Sequence, residues 1–76
     1  MIVRREVQKL SVRSRIKQLR EERGWTMHVL SMRSNVPVAH LHMLEKGIRK
    51  PMVETAYKVA SAFGLPIEKV FPRDAE

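Results

Sequence analysis

Helix-ending residues recur at short intervals along this chain: Gly24, Asn35, Gly47 and Gly64 each follow a stretch of helical periodicity. Glycine and asparagine tolerate the left-handed backbone that closes a helix, so these stops restrict the chain to short helices joined by tight turns. Val12, Ile16 and Leu19 define a first helix over roughly 12–23. Thr26 suits the N-cap of a second, running to about Ser34, with Trp25 and Leu30 as its core contacts. Pro37 fits the start of a third, which Gly47 ends. After the loop "IRKP" a fourth helix runs from about Val53 through Phe63, with Ala56, Val59, Ala60 and Phe63 as its apolar stripe. Pro66 opens a last turn or short helix containing Ile67, Val70 and Phe71. No strand pattern follows residue 12, and no repeat or interdomain linker interrupts the chain, so the expected fold class is all-α.

Size adds a constraint. Seventy-six residues, 43% of them apolar, suffice for one small domain that buries only about 60% of its unfolded surface, which makes a homodimer an expected source of further burial. The expected organisation is an N-terminal basic arm over 1–11, a domain over 12–71 and a tail over 72–76. The arm has two readings: Val3, Val7 and Leu10 suit a short helix, and Arg4, Arg5 and Lys9 suit a mobile cationic extension.

The chain has no cysteine, which removes disulfides and thiol chemistry. It has no apolar run long enough to span a bilayer and no signal-peptide core, so the expected setting is the cytoplasm, without a membrane. The formal charge of +7 is uneven: residues 1–20 carry seven Lys or Arg against Glu6 alone. Such a field attracts a polyanion, either nucleic acid or an anionic surface.

Two short helices joined by a tight turn, with basic residues after the second, form a helix-turn-helix, in which the second helix enters the major groove. Residues "IKQLREERGWT", "NV", "LHMLEKGIRKP" and "ETAYKVASAFGLPIEKVF" stand at the spacing of the Cro and phage-repressor family, also called the xenobiotic-response-element (XRE) family. The chain resembles that family over residues 12–71. The resemblance implies a compact five-helix Cro/lambda-repressor-like domain that binds double-stranded operator DNA as a homodimer and regulates transcription, for example as a repressor. It also implies an ion pair between Arg20 on the first helix and Glu45 on the third.

On a helical wheel with Leu41 toward the core, Ala39, Met43 and Lys46 point away, His42 sits at their edge and Val38 is intermediate. Val38, Ala39, His42 and Met43 are therefore the expected base-facing residues. Where the family often carries Gln, Arg or Ser, Val38, Ala39 and Met43 are apolar, and Met27 replaces a frequent Gln. Two readings follow. Apolar side chains pack against thymine methyls while His42 makes a polar base contact, with affinity supplied by phosphates. Alternatively Met27, Met32, Val38 and Met43 form an apolar face for a protein partner.

The expected phosphate set is Thr26, Arg33, His40, Lys46, Arg49 and Lys50, each cationic contact releasing counterions. Ile67, Val70 and Phe71 offer a dimer interface, or else close the monomer's core. His28, His40 and His42 do not suggest a metal, since residues two apart on a helix point about 200° from each other. No nucleophile-and-base pair or paired carboxylates mark catalysis, so the chain reads as a binding protein, not an enzyme, with no cofactor.

Overall fold

The computed structural model describes residues 14–72. The expected arm over 1–11 and nearly all of the tail over 72–76 lie outside the described residues. Five helices follow one another: α1 Ile16–Glu22, α2 Met27–Ser34, α3 Val38–Lys46, α4 Val53–Phe63 and α5 Ile67–Val70. Among the described residues there is no strand. The fold is the compact all-α, Cro-like arrangement that the helix stops and the resemblance imply.

α1, α3 and α4 end in the same way. The amide of the residue after each closing glycine donates to a carbonyl five residues back: Trp25 to Arg20 at 2.9 Å, Ile48 to Met43 at 3.0 Å and Leu65 to Ala60 at 3.0 Å. This is the Schellman closure, and it requires a left-handed residue just past the helix. Gly47, at φ 74°, supplies it without the steric cost that a Cβ brings. In that motif the residue after the glycine usually folds back onto the helix. Trp25 and Leu65 do so, packing against the core, whereas Ile48 remains 70% exposed.

α2 starts at a true cap: Thr26 Oγ1 accepts from the Val29 amide at 3.1 Å. It stops at Asn35, whose φ of 61° makes it the one non-glycine residue described in the left-handed region, a conformation its short polar side chain tolerates. The turn is tied by the Ser31 hydroxyl, which donates to the Val36 carbonyl at 2.7 Å. The short α2–α3 connection required of a helix-turn-helix is thus held at both ends.

α1 begins at Ile16, inside the expected start near residue 12. The Arg15 amide donates to the Val70 carbonyl at 2.8 Å, and the Arg15 side chain reaches the Lys69 carbonyl at 3.1 Å. A long-range partner therefore takes the donor at the helix entrance and fixes α1 against the end of α5. From the other side, the Ser14 hydroxyl donates to the Leu44 carbonyl at 3.2 Å.

The core collects Ile16 and Leu19 from α1, Leu30 from α2, Leu41 and Leu44 from α3, Ala56, Val59, Ala60 and Phe63 from α4, and Val70 and Phe71 from the C-terminal segment. Val70 and Phe71 have no exposed surface. They cannot form a dimer interface as expected, because a domain this small needs them to close its own core; Ile67 is only partly buried.

Candidate nucleic-acid interface

Leu41 and Leu44 are fully buried, and this roots α3 on one face and sets the rotation of the other. Val38, Ala39, His42, Met43 and Lys46 are the residues that remain exposed. Val38 and Met43 stand at 39% and 37%, so both present a side-chain tip and rest the remainder on the domain. The four expected base-facing residues therefore share the free side of α3. His40 is half-buried and lies off that side.

Glu45 sits at the boundary of the two faces, and its carboxylate accepts from Arg20 Nη2 at 3.0 Å. Arg20 Nη1 also donates to the Trp25 carbonyl at 3.1 Å, which ties α1, the approach to α2 and α3 together through one guanidinium. The side chains are 16% and 9% exposed, respectively. A pair this deep is weak net stabilisation, but it is costly to leave half-made. Arg20 Nε has no hydrogen-bond partner.

Of the expected phosphate contacts, Lys46, Arg49 and Lys50 are exposed at the end of α3 and in the loop that follows it. Thr26 is exposed at the α2 cap; its oxygen accepts the Val29 amide, which leaves the hydroxyl proton free to donate. Arg33 lies elsewhere in character. Its guanidinium is 4.6 Å from the Trp25 ring centroid, and Trp25 stacks on Phe63 with centroids 5.4 Å apart and planes 9° from parallel. Arg23 stands beside both rings, 5.0 Å from the Phe63 centroid and 5.8 Å from that of Trp25, and donates to the Phe63 carbonyl at 3.2 Å. Cation–π attraction accounts for the position of both arginines. This stack pins α2 to the end of α4, and single-helix periodicity could not reveal it because its members come from separate segments.

The methionines do not form one face. Met27 packs against the core, Met32 is 71% exposed, and the two are five residues apart on α2, which turns them well away from each other. Larger apolar exposure lies after α3: Ile48, Met52, Val53 and Tyr57 are 64–72% exposed. Sequence reading passed over these four. The signal was present in Val53 and Tyr57, one helical turn apart and off the stripe that α4 buries.

Sequence reading also passed over Lys17. It stands one turn before Arg20 on α1 and, with His42 and Lys46, lines a cleft beside α3.

Comparison with known proteins bears on the arrangement as a whole. The helix-turn-helix family HTH_3 matches residues 16–70. An uncharacterized HTH-type transcriptional regulator of Archaeoglobus fulgidus is 37% identical over 65 residues, covering 86% of this chain and 92% of that protein. An uncharacterized HTH-type transcriptional regulator of Mycobacterium tuberculosis is 41% identical over 51 residues, 67% of this chain; the match spans only 20% of the mycobacterial protein. The crystal structure of an HTH_3 family transcriptional regulator from Vibrio cholerae superposes with a TM-score of 0.68 at 27% identity, over 72% of this chain and 31% of that one. With the tight α2–α3 turn, the buried root of α3 and the Arg20–Glu45 tie already in place, these matches show that the chain belongs to the HTH_3 helix-turn-helix family, the XRE-type group its sequence resembles.

Proposed function

We propose that this chain is a sequence-specific, double-stranded DNA-binding transcriptional regulator that inserts α3 into the major groove of its operator and acts in the cytoplasm as a homodimer. The observation that carries the reading is the free side of α3, Val38, Ala39, His42 and Met43, next to exposed Lys46, Arg49 and Lys50. Apolar tips contact thymine methyls, His42 makes the polar base contact, and Thr26, Lys46, Arg49 and Lys50 contact the phosphate backbone, whereas Arg33 is held on Trp25 and His40 lies off the free side of α3. The names of the archaeal and mycobacterial relatives support the regulatory reading. No helix of the described residues is long and apolar enough to cross a membrane.

For the homodimer, Ile48, Met52, Val53 and Tyr57 offer a surface in place of Val70 and Phe71. At the exposures they retain, these side chains present on the order of 500 Å² of apolar area, within the range of patches that carry function on small proteins. A second copy seated on the same patch brings the total to about 1,000 Å², the lower bound of a specific interface. Arg49 and Lys50 beside the patch repel their counterparts in the free dimer, so DNA, which neutralises them, strengthens pairing.

The test is selection of bound sequences from a random duplex pool. An inverted repeat among the selected sequences is expected from a two-fold dimer reading two half-sites. Recovery of no preferred sequence, with no retention on duplex DNA at low salt, would overturn the reading.

A further inference from the structure

The free side of α3 is built in two rows, because residues four apart on a helix lie over one another. Val38 and His42 form one row and Ala39 and Met43 the other, and all four are exposed. Lys46 continues the first row, but it ends the helix beside the basic loop. The Ala39–Met43 row has no hydrogen-bond donor, and its one acceptor is the weak thioether sulfur of Met43. In the other row the imidazole of His42 is the single polar group before Lys46. Val38 and Met43 are 39% and 37% exposed, so the domain beneath already holds most of each side chain. Their tips are set before anything binds, and little rotamer freedom remains to be lost. Ala39, between them, is small enough to let the helix backbone come close to whatever it faces.

We propose that Ala39 and Met43, with Val38, read the C5-methyl group of a pyrimidine and not the pyrimidine itself, so that 5-methylcytosine in duplex DNA is accepted in place of thymine. The inference rests on α3 reading DNA. Base edges in the major groove are nitrogen and oxygen donors and acceptors, and the thymine methyl is their one apolar feature. An apolar side chain laid on a donor or acceptor takes it from water and returns no hydrogen bond, which is costly. Laid on a methyl, it removes apolar surface from water on both sides. The methyl of 5-methylcytosine stands at the same ring position as that of thymine. What differs is the neighbouring group, an amino donor on cytosine and a carbonyl acceptor on thymine, and telling these apart takes a hydrogen bond. The Ala39–Met43 row makes no strong one, so it separates methyl from hydrogen instead. The N–H of a neutral His42 meets the same N7 acceptor on adenine and on guanine, and therefore leaves T·A and 5-methylcytosine·G equivalent. Occupancy of a site then depends on whether its cytosines are methylated.

The test takes the duplex selected from the random pool and replaces each T·A pair in turn by U·A, C·G or 5-methylcytosine·G. Where α3 covers the pair, U·A should bind about fourfold more weakly for the one methyl lost, the factor that burial of a single methylene-sized group is worth. C·G should bind no better than U·A, whereas 5-methylcytosine·G should regain the methyl and stand within about twofold of T·A. Met43→Gln, of similar length and at an exposed position, should abolish the preference of T·A over U·A at the pair it covers, and Ala39→Ser should reduce it at a neighbouring pair. Arg49→Gln, in the loop beyond α3, should weaken every duplex alike and leave the preference intact. Equal binding of T·A and U·A at every position would overturn the inference, as would 5-methylcytosine·G no better than C·G. So would a methyl preference unchanged in both Met43→Gln and Ala39→Ser, which traces it to the stiffness of the duplex and not to α3. A pool that yields no preferred sequence, with no retention on duplex DNA at low salt, would overturn the DNA reading itself, a distinct failure visible before any base is replaced.

Discussion

Removing Arg20 should cost the domain more than removing Glu45, and removing both should cost no more than removing Arg20 alone. The side chains are 16% and 9% exposed. Arg20→Met strands a carboxylate that is nine-tenths buried, and breaking a buried pair in this way costs about 3–5 kcal/mol. It also removes the bond from Arg20 to the Trp25 carbonyl, worth about 1 kcal/mol. Glu45→Leu leaves Arg20 with that carbonyl and with an open cleft beside it, so its cost should be lower, about 2–3 kcal/mol. In the double variant Arg20→Met/Glu45→Leu no charge is stranded, and apolar replacements of a buried pair are often close to neutral. Because the double variant should cost no more than Arg20→Met alone, the coupling energy should be at least about 2–3 kcal/mol. A chain of this length holds on the order of 4–11 kcal/mol in total, so Arg20→Met should sit near the edge of folding. Urea unfolding followed by Trp25 fluorescence and by far-ultraviolet circular dichroism measures all four corners of the cycle. Two single variants that each lose under about 1 kcal/mol and add without coupling would refute the reasoning, since that is the behaviour of a solvent-screened pair.

Met43→Glu should lower the thermal midpoint by no more than a few degrees, given 37% exposure in the wild type, yet weaken operator binding at least tenfold by setting an anion against the groove floor; unchanged binding by the folded variant would remove α3 from the groove. Ser34 is 3% exposed and its hydroxyl has no partner, so Ser34→Ala should stabilise the domain by about 1 kcal/mol and raise the midpoint by about 4–8 °C; a lower midpoint would show that the hydroxyl is in fact bonded. Val53→Lys and Tyr57→Lys should each shift the protein toward monomer in sedimentation while leaving the midpoint nearly unchanged, and dimers that survive both would move the interface off α4.

The parts of the fold that were legible in the sequence are those governed by local chemistry. Thr26, Asn35 and the closing glycines set the helix ends through their own backbone preferences, and the bounds of α4 follow from Gly64 and the spacing of its apolar stripe. The start of α1 was illegible because it is decided by the Val70 carbonyl, far along the chain. Val70 and Phe71 read equally well as interface or core, since apolar character does not say which copy of the chain will cover it. At the site, Leu41 and Leu44 made the free side of α3 readable, whereas Glu45 found its partner through family resemblance. Lys17 acquires meaning only when α1 and α3 are laid side by side. Arg33 looks like any exposed cation until Trp25 is brought beneath it by the packing of α2 on α4.

Ile48 gives the three Schellman ends unequal mechanical status. At Trp25 and Leu65 the residue after the glycine is latched to the core, so opening either turn exposes apolar surface and carries a penalty. At Ile48 the latch is undone already, with 70% of the residue in water, and the turn is held by backbone bonds alone, Ile48 to the Met43 carbonyl at 3.0 Å and Gly47 to the Leu44 carbonyl at 3.2 Å. Amides 47–50 should accordingly exchange with solvent faster than those at 24–25 or 64–65, because their opening uncovers little more. The segment that carries Arg49 and Lys50 thus keeps the freedom to settle along a helical backbone whose path varies with sequence, while α3 stays rigid on Leu41 and Leu44. This freedom belongs to the unpaired chain; a second copy seated on Ile48, Met52, Val53 and Tyr57 covers the same turn, so slowed exchange there should follow engagement of DNA and pairing together.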